Sequence, residues 1–317
     1  MEDMNIFEKL NVKYPIIQGG MEGIAKAKLA LAVSNAGGLG LIGTSGQSVS
    51  EFKKEIDIAM KSIDKFKSFG VNIVLNEVGI DDKIEYTISK KVPLVTISAG
   101  NPKKYIKKFK DAGILVLCLV GNSEMALKCE DYGADGLIFS GSEAGGFISS
   151  VTTMAGLVPV VKSVNIPVIS AGGYSDGSQL LAAQAMGAIG IQMGTRFLVA
   201  KESKISDNYK KLLINSKENN TVLIGENIGI SIRQISNNFT KNINSMENLN
   251  IDQLIDLYTK GMVVAVNEGN LEEGDFLCGM SVGMIEKEQT ADEIIKEIIA
   301  EYNQAKDRLF SDQNFIR

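Results

Sequence analysis

The feature that most constrains this chain is a recurrence. Eight short apolar runs begin at Pro15 (PIIQGG), Leu39 (LGLIG), Phe69 (FGVNIVL), Pro93 (PLVTISAG), Ile114 (ILVLCLVG), Asp135 (DGLIFSG), Pro167 (PVISAGG) and Ile189 (IGIQMGT), with starts 21 to 32 residues apart. Between them lie amphipathic segments such as AKLALAVSNAG, VSEFKKEIDIAMKSI, PKKYIKKFKDAG, EMALKCEDYGA and GSQLLAAQAMGA, several closed by a glycine as a helix C-cap would be. A strand followed by a returning helix fits that spacing, and nothing much shorter does. Strands that are apolar almost throughout are those buried on both faces of a parallel sheet. Eight βα units therefore predict an α/β fold, a (β/α)₈ TIM barrel, with a doubly wound open sheet as the alternative.

The rest of the chain divides in two. Residues 1–203 form the predicted barrel. Residues 204–250, with NSKENN and SNNFTKNINSMENLN, are polar, Asn-rich and out of period, which predicts a small inserted helical subdomain or lid after strand eight. Residues 251–317 return to helical periodicity in IDQLIDLYTKGMVVAVNEG and TADEIIKEIIAEYNQAKDRLF, the latter with Thr290 as N-cap, and are expected to complete the barrel.

Composition narrows the function. An apolar content of 44% with 22% charged residues is that of a soluble globular protein. A net charge of -5 argues against nucleic acid or an anionic membrane as the main partner. The N-terminus lacks a cationic start and an apolar signal core, and no run approaches the roughly 18 apolar residues of a membrane span. The expected location is cytoplasmic. Cys118, Cys129 and Cys278 are an odd set without CxxC spacing, so buried thiols are expected, with no disulfide and no metal site. The chain contains no histidine, which removes the commonest general base and metal ligand from its chemistry.

In a barrel of this kind the active site lies at the C-terminal ends of the strands. Those tips carry Gln18, Gly19, Gly20 and Met21 after strand one, Asn72 in strand three, Ser98 to Asn101 after strand four, Ser140 to Phe147 after strand six, Ala171 to Gly173 after strand seven and Gln192 to Arg196 after strand eight. AGGYSDG and MGTRF place glycines after strands seven and eight, leading into helix N-termini, where unpaired backbone N–H groups hold a phosphate without lysine. The alternative is that Gly172, Gly173 and Gly194 only make tight turns. A phosphate site suits a phosphosugar isomerase or aldolase equally, but no Schiff-base lysine stands at a tip. Gln18, Asn72, Glu143 and Gln192 are suited to the polar edge of a planar heterocycle, which favours flavin mononucleotide (FMN).

PIIQGGMEGIA, VSNAGGLGLIG, FGVNIVL, SAGNPKKY, SEAGGF, TTM, PVISAGGYSDG and QMGTRFLVAKES together resemble the FMN-dependent family of nitronate monooxygenases (2-nitropropane dioxygenases) and type II enoyl-acyl-carrier-protein reductases, almost end to end. The resemblance implies an FMN phosphate on Gly172, Gly173, Gly194 and Thr195, next to Met193. Its ring would lie near Gly20, Met21, Asn72, Gly145 and Gly146, with Gln192 and Glu143 close by. The family's loop after strand six reads AGGH, with the histidine catalytic or substrate-contacting. Here that position is Phe147. Histidines of the reductases match Ser206 and Ile230, and the usual MAWVA has become MEGIA.

Phe147 thus marks a paralogue that lost the family's chemistry, or lines an apolar wall in an enzyme that needs no imidazole, or packs beneath the loop with no role. Enoyl reduction with NAD(P)H as co-substrate is the favoured activity. Nitronate oxidation with O₂ is the alternative, and a non-catalytic flavin binder the third. Glu143 is a candidate base if its geometry allows, and Tyr174 a candidate donor. The expected partners are a small-molecule or carrier-bound substrate, an acyl carrier protein docking on the basic helix PKKYIKKFKD, and a second copy in a homodimer. The other reading of that helix is a solvated face.

Overall fold

Every one of the eight apolar runs forms a strand, and the last pairs with the first. The structure, a computed structural model, describes residues 5–64 and 67–311. The strands are β1 (Ile16–Gln18), β2 (Leu39–Gly43), β3 (Phe69–Val74), β4 (Leu94–Ser98), β5 (Leu115–Val120) and β6 (Gly136–Ser140). After a two-residue strand β7 (Gly146–Phe147) outside the barrel come β8 (Val168–Ala171) and β9 (Gly190–Met193). The order is a closed β1-β2-β3-β4-β5-β6-β8-β9, parallel throughout, with β9 pairing back to β1 through Ile17↔Gln192. Closure excludes the open sheet and defines a TIM barrel.

Alternation along each strand separates two cores. Ile17, Leu39, Leu41, Leu94, Leu117, Ile138 and Ile169 fill the barrel interior. Their neighbours Ile16, Ile42, Val71, Val95, Val116, Phe139 and Ile191 face the helix layer. The helices sit tight on the sheet: a Cβ on Gly40 would lie 2.0 Å from the Ala30 carbonyl oxygen, so only glycine lets helix Ala27–Asn35 approach β2 that closely. Glycines with positive φ follow several helices, including Gly113 (74°), Gly133 (88°) and Gly187 (97°), as C-caps do. The last helix, Ala291–Ser311, starts at Thr290, whose Oγ1 accepts from Glu293 N. Glu301 of that helix accepts from Gly177 N at 2.9 Å, which docks it onto helix Gly177–Ala185 and completes the ring.

The inserted segment differs from its sequence reading in two ways. Residues 204–250 hold helices Asp207–Ile214 and Asn238–Asn244, but also a hairpin of β10 (Thr221–Ile224) and β11 (Ile232–Ile235). The hairpin extends antiparallel onto β7, with Ile232↔Phe147 and Arg233↔Gly146 in register. The expected division at residue 250 also does not follow the packing. Helix Ile251–Val263 turns Leu254, Tyr258 and Met262 onto Tyr209, Ile224 and Ile232, and Phe276, Val282 and Ile285 join the same core. This core also takes in Ile24, Leu198 and Val199, so it joins residues up to Ile285 with the insertion and with the barrel rim. Among these C-terminal segments, Ala291–Ser311 is the helix that packs on the barrel.

All three cysteines are buried and free. The Cys118 thiol is pushed up by its hydrogen bond to Cys129 and by burial. Among the described residues no helix is long and apolar enough to cross a membrane, and no cluster of three His, Cys, Asp or Glu side chains could hold a metal.

Candidate active site

The strand tips converge on one mouth. Gln18 is buried and consumed by the backbone: its Oε1 accepts from Leu41 N at 3.2 Å and its Nε2 donates to the Gly19 carbonyl. It supports β1 rather than a ligand. Beyond it Gly20 lies directly on Asn72, where an added Cβ would stand 2.3 Å from Asn72 Oδ1. Asn72 is held in turn by Nδ2 donating to Thr96 Oγ1 at 2.9 Å. Gln192 comes up beneath Gly19, and its Oε1 is buried with no hydrogen-bond partner. A buried amide oxygen of that kind is costly unless something supplies a donor.

The loops after the seventh and eighth barrel strands form the second half. Gly172 and Gly173 have φ of 93° and 88°, a conformation that favours glycine and turns their backbone into the mouth. At Gly194 an added Cβ would stand in van der Waals contact with Met21, Sδ at 3.8 Å and Cγ at 3.9 Å, so the Met21 side chain lies against this turn. Thr195 Oγ1 accepts from Gly279 N at 2.9 Å, which leaves its own O–H available to donate. The Met193 side chain, in contrast, is buried in the helix-facing core, because β9 alternation points Gln192 in and Met193 out, so only its backbone could border the mouth.

The loop SGSEAGGFISS closes the mouth from one side. Glu143 Oε2 accepts from Thr153 N at 2.7 Å and from Thr153 Oγ1 at 2.6 Å, capping helix Thr153–Ser163, and the Glu143 carbonyl accepts from Met280 N at 2.9 Å. This carboxylate is an anchor, which corrects its reading as a free base. Gly145 lies against Cys278 and Gly279, where a Cβ would meet backbone at 2.5 Å, and Gly146 has φ 73°. Phe147 is 53% exposed, its ring edge-to-face on Tyr258 at 5.4 Å and 63°. It does not pack beneath the loop. Tyr174 does not reach the mouth: its hydroxyl donates to Ser170 Oγ at 2.8 Å within the helix-facing core, and burial raises its pKa. Its reading as a proton donor is corrected for the same alternation reason, since Ser170 points outward from β8.

Several residues of the mouth went unread in the sequence. Arg233 donates through Nε to the Ser142 carbonyl at 3.1 Å and fastens the insertion to the glycine loop. Tyr258 O–H donates to Glu22 Oε2 at 2.7 Å, tying the insertion to the tip of β1. Burial raises the Glu22 carboxyl above the usual range; the Tyr258 and Ser45 hydrogen bonds pull it back, and Glu77 adds to the rise. Asp275 is fully buried with both carboxylate oxygens unpartnered, and burial, with Glu22 behind it, pushes its pKa well up. The sequence signals for Glu22 were its place one residue past Met21 and its departure from the usual MAWVA; Tyr258 and Asp275 lie in aperiodic or ordinary helical sequence.

The basic helix Lys103–Asp111 is neutralised locally. Lys107, Lys108 and Lys110 pair with Asp111, Glu85 and Asp135, and Lys103 and Lys104 lie over the rings of Tyr132 and Tyr105. That is the solvated-face reading.

A glycine-lined mouth on a closed eight-stranded parallel barrel defines the class, and comparison places the chain within it. The sequence profile described as "Nitronate monooxygenase" matches residues 4–79 and 75–301. A probable nitronate monooxygenase of Staphylococcus saprophyticus is 31% identical over 94% of this chain and 97% of its own length. A (3aS,4S,5R,7aS)-5-hydroxy-7a-methyl-1-oxo-octahydro-1H-indene-4-carboxyl-CoA dehydrogenase of Rhodococcus jostii is 36% identical, over 64% of this chain and only 57% of its own length. The structure of FabK from Thermotoga maritima superposes with a TM-score of 0.92 at 38% identity, covering 96% of this chain and 98% of that one. A nitroalkane oxidase of Streptomyces ansochromogenes follows at TM-score 0.82 and 25% identity, covering 93% and 97%. The chain belongs to the nitronate monooxygenase family and is an FMN-dependent oxidoreductase.

Proposed function

We propose that this enzyme holds FMN across the mouth and uses NAD(P)H to reduce an enoyl thioester. The carrying observation is the unpartnered, buried Gln192 Oε1 of the side chain that lies against Gly19: the ring edge of a flavin offers the N–H donor that this oxygen lacks. The phosphate would sit on Gly172, Gly173, Gly194 and Thr195: the first two have positive φ, and the Thr195 hydroxyl has a proton to spare. Met21, Gly145 and Gly146 would border the ring. Bound there, FMN supplies hydride transfer between a nicotinamide and an activated alkene. The protein's part is to orient the alkene and polarise its carbonyl.

The reductase reading rests on FabK of Thermotoga maritima, an enoyl-acyl-carrier-protein reductase, matching over 98% of its length with the higher identity. The carboxyl-CoA relative also points to a thioester. Nitronate oxidation is the second reading, favoured by the full-length Staphylococcus relative. It suits Phe147, because a nitronate arrives already deprotonated and needs no base. A homodimer and a carrier protein remain the proposed partners.

The test is an anaerobic cycle. The purified protein should be yellow, bleach with NADH or NADPH and regain colour on adding crotonyl thioester. Bleaching that is reversed only by air, together with oxidation of a nitronate, would replace the reductase by the second reading. A colourless protein that takes up no FMN would remove both. Gly173→Asp should abolish FMN uptake, by setting a carboxylate in the phosphate position and a Cβ on a backbone with φ 88°, with circular dichroism showing retained folding.

A further inference from the structure

Reducing an enoyl thioester adds a hydride at the β-carbon and a proton at the α-carbon, so a reductase needs a proton source at its mouth. This chain has no histidine to supply it. Three of the acids and hydroxyls near the mouth are already committed. Glu143 Oε2 accepts from both Thr153 groups, Tyr174 is turned to the helix layer, and Asp275 is sealed in the insertion core. Glu22 differs in being held through hydroxyls alone, those of Tyr258 and Ser45. It follows Met21 at the tip of β1, is half-buried, and is reached from the opposite side by Tyr258, whose ring carries the exposed Phe147. Phe147, Tyr258 and Glu22 thus form one continuous wall from the glycine loop to the first barrel strand.

Resting on the reductase reading, we propose that Glu22 is the general acid of this enzyme and Tyr258 its positioning residue. A general acid has to reach the reaction still protonated, and the surroundings of Glu22 favour that form. Burial outweighs the hydrogen bonds from Tyr258 and Ser45, which pull the other way; Gly46 packs on its stem, and the charged groups facing it, Glu77 from the loop after β3 and Asp275 from the insertion, are both acidic. Lys83, the cation beside Glu77, is consumed by Glu77 and by the carbonyls of Thr44 and Gln47. The hydride originates in NAD(P)H. The proton leaves the Glu22 carboxyl for the α-carbon, and the resulting carboxylate, still accepting from Tyr258 O–H, is reprotonated from solvent at its half-exposed side.

The experiment compares wild type, Glu22→Gln and Tyr258→Phe as FMN-loaded enzymes. Glu22→Gln should slow crotonyl thioester reduction by about 10²- to 10⁴-fold, the usual worth of a positioned acid, while flavin absorbance and anaerobic bleaching by NAD(P)H stay at wild-type rates. Wild-type turnover should fall as pH rises through the Glu22 pKa. In Tyr258→Phe that limb should move to higher pH, because the hydrogen bond that lowers this pKa is gone. A carboxyl signal absent from Glu22→Gln should titrate above the ordinary glutamate range in ¹³C NMR of glutamate-labelled protein. Turnover of Glu22→Gln within threefold of wild type, with an unchanged pH profile in both variants, overturns the assignment alone. Failure of wild type to reduce any enoyl thioester although NAD(P)H bleaches its flavin overturns the reductase reading and this assignment with it.

Discussion

Two buried ionisable side chains, Lys83 at the barrel rim and Asp275 in the insertion, are solved in opposite ways. Lys83 is 3% exposed at its side chain, and its ammonium donates to the Thr44 carbonyl at 2.8 Å, the Gln47 carbonyl at 2.7 Å and Glu77 Oε2 at 3.1 Å. Its three protons find three acceptors. Asp275 is at 0% exposure, and neither carboxylate oxygen has a partner. The first arrangement is a brace, since it fastens the loops after β2 and β3 to each other. The second is a cost, and a fold retains such a cost when its surroundings are arranged for something other than stability. The barrel rim holds a satisfied cation, whereas the insertion core holds an unsatisfied acid.

The contrast can be broken most directly at Lys83. Lys83→Met leaves Glu77 Oε2 and two carbonyls without their donor, and the loss should be about 3–5 kcal/mol, as for a buried pair missing one member. Urea midpoints at fixed m would show it. A loss below about 1 kcal/mol would mean that solvent replaces the ammonium and that the brace is not one.

At Asp275 the effect should depend on pH. Its folded pKa lies well above the unfolded value of about 3.9, so below pH ~4 both states are protonated and the group contributes nothing to the slope. Above that pH the unfolded chain releases a proton that the folded chain keeps. Stability should then fall by about 1.4 kcal/mol per pH unit until the folded pKa is passed. Asp275→Asn keeps the shape and removes the titration, so the difference between wild type and variant should narrow, and can reverse in the variant's favour, from pH 4.5 to 8. Parallel stability curves across that range would show that Asp275 finds partners in solution and that the two regions do not differ in kind.

The two regions also differ in how far their sequence could be read. Barrel strands are four to six mostly apolar residues long, apart from the shorter β1, and their spacing is regular, so β2 was bounded at Leu39 and Gly43 from the pattern alone. The glycine tips were legible because close approach leaves no other residue type at positions such as Gly20. Side-chain direction was less legible. Tyr174 and Met193 stand within a residue or two of the mouth, yet alternation turns both into the helix layer, and a loop residue's direction has no period to betray it. The insertion was least legible. Its strands are four residues long and pair with only two residues of the glycine loop, and Tyr258 reaches Glu22 across 236 positions of sequence. Long-range pairing of that kind leaves no local signature.

The smallest expected effect falls on the outside of the barrel, where charge is plentiful and exposed. Five lysines on helix Lys103–Asp111 read as a docking face for an acidic partner, but Lys107, Lys108 and Lys110 already face Asp111, Glu85 and Asp135, and most of these side chains are more than a third exposed. Exposed pairs of this sort contribute about 0–1 kcal/mol, and their field is largely cancelled within a Debye length of about 8 Å at physiological salt. Replacing Lys103, Lys104, Lys107 and Lys108 together by alanine should therefore shift stability by no more than about 1–2 kcal/mol in sum. It should also change KM less than twofold for both a carrier-linked enoyl substrate and its free coenzyme A thioester. A KM that rises severalfold for the carrier-linked substrate alone would make the helix a docking surface after all. Steering by this face would then extend the functional asymmetry of the molecule from the insertion onto the barrel wall.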